Sequence, residues 1–516
     1  MRALRIAQLG TFDLDNLGDL LFPLVFAEWL RRLEAELQTT IDCDLFGLQG
    51  AAAAALYPDQ VACHPMTAFE AMDRERPYDL IFIGGGDIVR EDDEMLPEIY
   101  GAESPRFSYP QLLSPSDDPD RRLVLLAPGA PFPLSAACGS FLANSFLRLT
   151  RASVRDTHTH ALLAPLLPEG VALEIVPDIV NSIASIMPRE PLRQRLEAFL
   201  PAAVRDDYIC FQVRDGFLHE YREIGGYLQD FQRRTGIAVV LLEIGRCLGD
   251  DRILSRIAEE FGFPYIHNGA SDGAAVSVWD KVAVVAGAKA FIGTSLHGNI
   301  IARSYGIPHF TFGYAGAEKI TDFFHGEHRS RCIDRIHDLF ADIPTLERII
   351  RAGIMVDSSP DRTVHEFLAA AFRECLRDER AVATSYSPVA ARLFMDANDD
   401  RLRAKAWQRG QIALLEKQQR EQIALFEAQI ASFEEWQREQ ASLLAQQRER
   451  MALLERRLVD TEAGAADTRH ELSNCRQSLE ALNGQLAVAR GEVSAILSSR
   501  SWKLTWPLRF LRHKLG

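Results

Sequence analysis

His297 stands between Leu296 and Gly298 in the run from Gly293 to Pro308, on a glycine-flanked turn that precedes a helical stretch. An imidazole moves a proton near neutral pH, so a histidine so placed can serve as acid or base; the alternative is a satisfied structural histidine. Upstream, Asn16, Gly18 and Asp19 form a polar loop that runs into an apolar helix. Gly18 lets backbone approach a ligand closely, while Asn16 and Asp19 offer polar atoms or simple helix caps. Gly84, Gly85 and Gly86 follow a buried run and lead to Asp87, which suits close passage of a substrate. Arg155 with Asp156, Asp178, and Arg214 each close a further short apolar run. These residue types together fit anion binding and proton transfer. Asp250 and Asp251 can be read as a metal pair, but a solvated loop or a helix cap is the better reading, so no metal site is expected.

Groups of this kind need a scaffold that brings distant segments together. Leu4–Leu9, Tyr78–Ile83, Leu123–Ala127, Ala152–Asp156 and Leu173–Asp178 read as strands that end in glycine or polar residues and alternate with helical stretches. That alternation indicates a doubly wound parallel sheet. A proline-punctuated helix over Pro188–Pro201 separates a second set of strands, at Tyr208–Arg214, Ile237–Leu242, Pro264–Ile266, Ala288–Ile292 and Phe310–Phe312. Two such halves face a cleft with their strand ends, and His297 falls at one of them, where the first turn of a helix favours negative charge. The expected fold class is α/β, two Rossmann-like domains over residues 1–187 (acceptor side) and 188–346 (donor side).

Residues 347–400 read as a helical return segment and linker, and 401–497 as a coiled coil. Gln411-Ile-Ala-Leu-Leu-Glu recurs as Gln422-Ile-Ala-Leu-Phe-Glu, a spacing of 11 residues that Leu443 and Leu454 repeat. Such a period winds a coiled coil slightly right-handed and points to a homo-oligomer. The tail, 498–516, carries Lys503, Arg509, Arg512 and Lys514 with Trp502, Trp506 and Phe510, a composition suited to peripheral contact with a membrane surface. The formal net charge of -15 argues against nucleic acid as a partner. Eight cysteines without a CxxC pair, no signal-peptide pattern and no bilayer-length apolar run give a cytoplasmic expectation, extended by the tail to the inner face of the cell membrane.

In this order, Asn16-Leu-Gly18-Asp19, Gly84-Gly-Gly86, Ser153-Val-Arg155-Asp156, Pro177-Asp178, Asp250-Asp251 and Leu296-His297-Gly298 resemble the polysaccharide pyruvyl transferase family over about residues 4–345. Lys319 matches a further family lysine. The resemblance implies the architecture of B-type glycosyltransferases and transfer of pyruvate from phosphoenolpyruvate, as a ketal, to paired hydroxyls of a sugar in a bacterial surface polysaccharide or its lipid-linked precursor. It implies no cofactor beyond that donor. On that reading His297, Arg214 and Arg155 are catalytic. Asn16, Gly18, Asp19, Gly84 to Gly86, Asp87, Asp178, Ser295, Leu296, Gly298 and Lys319 line the substrates. The family's usual arginine before Leu-His is Ser295 here, which removes a charge expected to grip the donor. The tail separately resembles the ends of polysaccharide-assembly glycosyltransferases. A nucleotide-sugar glycosyltransferase and a degenerate scaffold are the rival expectations.

Overall fold

The computed structural model describes residues 3–48, 62–90, 109–267, 276–313, 323–324, 331–355, 359–377, 386–460 and 465–498. Lys319 and the tail from 499 lie outside them. Two compact units emerge, Met1–Arg403 and Ala404–Gly516. The first unit holds two parallel sheets. One has seven strands: β1 (Leu4–Leu9), β2 (Ile41–Gly47), β3 (Cys63–Pro65), β4 (Leu80–Gly84), β5 (Leu123–Leu126), β6 (Leu149–Val154) and β7 (Leu173–Ile175), in the order β3-β2-β1-β4-β5-β6-β7. The other has β8 (Tyr208–Gln212), β9 (Ala238–Leu242), β10 (Tyr265–Ile266), β11 (Ala290–Gly293), β12 (His309–Phe312) and β13 (Cys332–Ile333), in the order β10-β9-β8-β11-β12-β13. The strand order reverses between β1 and β4 in the first sheet and between β8 and β11 in the second. These are the two points where such sheets open a crevice for ligands.

Apolar sequence sets the centre of each sheet: every residue of β1, β4, β5, β8 and β11 is buried. The helix Leu17–Leu37 covers one face of the first sheet, where Phe26 meets Phe82 at 5.1 Å. The helix Ser359–Leu376 returns onto the same face, with Phe372 5.4 Å from Phe82 and Glu374 paired to Arg151 of β6 at 2.7 Å. On the opposite face Phe46, Phe69 and Tyr78 form an aromatic group with centroids 5.1 to 6.1 Å apart. β2, β3 and β13 are strands that the sequence pattern did not disclose. β2 reads Ile-Asp-Cys-Asp-Leu-Phe-Gly, with polar residues in its first half, and β3 and β13 have three and two residues.

The second unit is a helical hairpin formed by the far part of the helix Pro388–Asp460 and the helix Ala465–Ser498. Only four residues separate the two helices in the sequence, and Cys475 Sγ lies 3.2 Å from Gln447 Oε1 and Arg476 3.9 Å from Glu455, so the second helix folds back on the first. Covered positions step by three and four: Ile423, Phe426, Ile430 and Phe433 on one helix, Leu472, Cys475, Leu479, Leu482 and Leu486 on the other. That is a heptad seam, which winds left-handed. The right-handed expectation is therefore corrected. The 11-residue recurrence mixes two faces, because Leu454 is buried in the seam while Leu443 is 41% exposed. Among the described residues no helix is long and apolar enough to cross a membrane.

Candidate functional site

Each reversal point contributes two loops to one cleft of about 280 Å³, near the lower end of ligand pockets at about 300 Å³. Thr11, Asn16 and Asp19 follow β1, and Gly86 and Asp87 follow β4. Gln212 ends β8 and Arg214 follows it, while Ser295, Leu296 and His297 follow β11. The fold thus brings together the candidates from both halves of the sequence. Arg155 reaches the same cleft from the end of β6.

The centre is a charged cluster. Asp178 Oδ2 lies 3.4 Å from His297 Nε2 and 3.5 Å from Arg155 Nη1. Arg155 also pairs with Asp87 and lies 3.7 Å from Asp156. Burial works against the charge of Asp178, yet His297, Arg155 and the Val180 amide outweigh it and hold the carboxyl below its ordinary value. Burial likewise opposes the Arg155 charge, and Asp87, Asp178, Asp156 and Asp19 overcome it to raise the guanidinium. Asp19 behaves oppositely. Burial pushes its carboxyl up to about 6, against the Thr11 hydroxyl, which donates to Oδ1 at 2.5 Å, and against the His297 charge. The same cluster thus pushes one buried carboxyl up and holds another down, a separation of the kind that sorts acid and base roles.

Packing gives the glycines a reason of their own. A Cβ on Gly18 would lie 2.0 Å from His297 Nδ1, so the imidazole rests on the Gly18 backbone. On Gly84 it would meet the Leu126 carbonyl at 2.1 Å, and on Gly85 the Phe22 ring at 3.0 Å. Gly86 has φ +72, and a Cβ there would approach Asp19 Oδ1 to 2.7 Å. Protein groups occupy the places where these Cβ atoms would lie, so packing within the fold alone calls for glycine at these positions, and Gly86 also lines the cleft. Gly298 is filled in the same way, by the Phe291 ring at 2.2 Å.

Ser295 is the N-cap of the helix Leu296–Ser304, its hydroxyl accepting from the Gly298 amide at 3.2 Å. The residue at the position of the family arginine therefore does structural work at the turn that carries His297. By helix geometry the amides of Leu296 and His297 have no intrahelical acceptor and favour an anion. Asn16 caps the helix Leu17–Leu37 by accepting from the Gly18 amide at 3.3 Å, and also lines the cleft. Asp250 is fully buried and not a solvated loop residue, and its carboxylate turns back to the amides of Ile244 and Gly245. Among the described residues no group of His, Cys, Asp and Glu is placed to hold a metal ion. Sequence reading missed Gln212, whose Oε1 accepts from the Ser295 amide at 2.9 Å, and Arg90, which stacks on Tyr109 at 5.2 Å and Phe132 at 5.3 Å. It also missed Gly129, where a Cβ would meet Asp87 at 2.5 Å and Arg155 at 2.6 Å. The Pro128-Gly129 turn after β5 was the available signal for the last; Arg90 and Gln212 sit in no motif.

A search of curated protein sequences finds no match. Among solved structures, the chain is similar to UDP-GlcNAc 2-epimerase from Methanocaldococcus jannaschii at 11% identity and TM-score 0.44, covering 72% of this chain and 100% of that one. UDP-N-acetylglucosamine 2-epimerase from Rickettsia bellii gives 11% and 0.42, with 73% and 97% covered. E. coli ADP-heptose lps heptosyltransferase II gives 14% and 0.33, with 73% and 100% covered. The family model described as Polysaccharide pyruvyl transferase matches residues 16–316. That span begins at Asn16 of the first sheet's loop, passes Arg155 and Asp178, and closes beyond His297, so it takes in both halves of the cleft and more than half of the chain. On that match the chain belongs to the polysaccharide pyruvyl transferase family.

Proposed function

We propose that the protein transfers pyruvate from phosphoenolpyruvate, as a ketal, onto paired hydroxyls of a sugar in a bacterial surface polysaccharide or its lipid-linked precursor. The observation that carries this reading is the placement of His297: on the Gly18 backbone, 3.4 Å from Asp178, at the crevice shared by both sheets of a family member. His297 is the acid that protonates the donor's methylene carbon. Asp178 Oδ2, 3.4 Å from Nε2, holds the ring in the cleft. The resulting oxocarbenium carbon takes one sugar hydroxyl; phosphate leaves, and the second hydroxyl closes the ketal. The two hydroxyl protons end on the new methyl group and on the departing phosphate. The donor carries its own leaving group, so the step draws on no cofactor.

Donor charge is assigned to Arg214 and Arg90 with the first turn of the His297 helix, because Arg155 is already surrounded by carboxylates. Asn16 and Asp19 face the acceptor. Incubation with phosphoenolpyruvate and a panel of pyranosides should release phosphate and yield a ketal mass shift; neither appearing across the panel overturns the donor. The helical hairpin joins copies of the chain, and the basic, aromatic tail provides peripheral contact with the inner face of the membrane where lipid-linked precursors are built. Support for the first is an apolar set on the outer side of the hairpin: Trp407 is 67% exposed and Leu425 61%.

A further inference from the structure

We infer that Asp250 is a positioning residue that locks the His297 turn and the Asn16 loop to one another through a single carboxylate oxygen. This rests on the reading of the cleft as the transfer site. Asp250 begins the helix Asp250–Phe261 and is 0% exposed. Three donors converge on Oδ2: Gln212 Nε2 at 2.8 Å, the Ile244 amide at 3.1 Å and the Gly245 amide at 2.8 Å. Oδ1 is buried without a hydrogen-bond partner. Burial pushes this carboxyl up to about 7, and a group used so unevenly is costly in a core; natural cores keep such groups where geometry matters more than stability.

The two sets of donors lead in opposite directions. Gln212 passes the constraint to the second sheet's site loop. Its Oε1 accepts from the Ser295 amide at 2.9 Å and from the Thr294 hydroxyl at 3.4 Å. Ser295 in turn caps the helix on which His297 is the second residue. Ile244 and Gly245 lead to the first sheet. The Leu17 amide donates to the Ile244 carbonyl at 2.9 Å, Asn16 and Gly245 form an isolated β-bridge, and the Cys247 amide donates to the Asp15 carbonyl at 3.3 Å. One oxygen thus sets both the turn that aims the acid and the strip on which the acceptor loop lands. Asp250 touches no substrate position, since it does not line the cleft.

Hydrogen exchange on the full chain without substrate tests this. Asp250→Ala should speed exchange about tenfold or more in residues 15–18 and 293–298 together, because both lose the anchor of their hydrogen bonds. Asp250→Asn, which keeps one acceptor oxygen, should loosen both segments less, and Gln212→Leu should loosen 293–298 alone. Thermal melting shows which variants fold; Asp250→Asn decides if Asp250→Ala does not. Wild-type protection of both segments in folded Asp250→Asn and Asp250→Ala overturns the inference, and so does loosening of only one of them. In turnover with phosphoenolpyruvate, Asp250→Asn should lower kcat about tenfold while donor KM stays within about threefold, as for a residue acting through others. A wild-type enzyme inactive with that donor would count against the donor and leave the exchange result to decide the positioning role.

Discussion

His297 sits where two opposed influences meet, the positive end of its own helix and the carboxylate of Asp178. Its replacement by Ala or Gln should leave the melting temperature near wild type and lower turnover about a hundredfold or more, as for loss of a general acid. Asp19 makes a prediction of the other kind. Its carboxyl rises from 3.8 to about 6 on folding, so the folded state binds the proton more tightly, and the stability it contributes below pH 4 is lost as pH rises through about 6. Asp19→Asn should therefore gain stability relative to wild type between pH 4 and 6 while turnover falls. Melting curves at both ends of that window would check it; a difference independent of pH would assign the cost elsewhere. Ser295→Arg should lower donor KM by restoring a cation, and should cost about 1 kcal/mol because the N-cap is lost. Unfolding titrations and donor kinetics measure the two separately. The sequence made His297, Asp19 and Asp178 legible because each follows a strand in a recognisable run. It hid Gln212 and Arg90, whose roles arise only from chain segments that meet across the cleft.

At the scale of elements, the central strands were readable because their residues are apolar on both faces, as parallel strands between helices must be. β2 escaped because its first half is partly exposed, and β3 and β13 because strands of three and two residues show no periodicity. The helical hairpin shows how a repeat can mislead. Apolar residues 11 apart suggested one right-handed stripe, yet the seam obeys heptads, and the remaining apolar residues form a second face. Trp407 and Leu425 are 18 residues apart, five full turns at about 3.6 residues each, with Leu414 within about 20° of the same line. That outer line is the surface on which a second copy is expected to pack. Leu414→Asp with Leu425→Asp should convert an oligomer to monomer in sedimentation without unfolding the hairpin. An unchanged sedimentation coefficient would place the contact elsewhere.

For the whole molecule, the prediction is that the hairpin and the tail can be removed without loss of the chemistry. A chain ending after Arg403 keeps the unit that contains both sheets, and should turn over a soluble acceptor at a rate near that of the full chain. The full chain should sediment with anionic vesicles in a salt-sensitive manner, each basic residue near the surface contributing about 1 kcal/mol. Equal vesicle binding by both chains would remove the tail from that role. One contact carries a further consequence. The imidazole of His297 belongs to the second sheet and rests on backbone of the first, at Gly18. If His297 is the acid, as proposed, then spreading the two halves to admit a bulky saccharide would part it from Asp178, and turnover should be limited by closure rather than by proton transfer. Turnover that falls with solvent viscosity would bear this out; turnover indifferent to viscosity would rule it out.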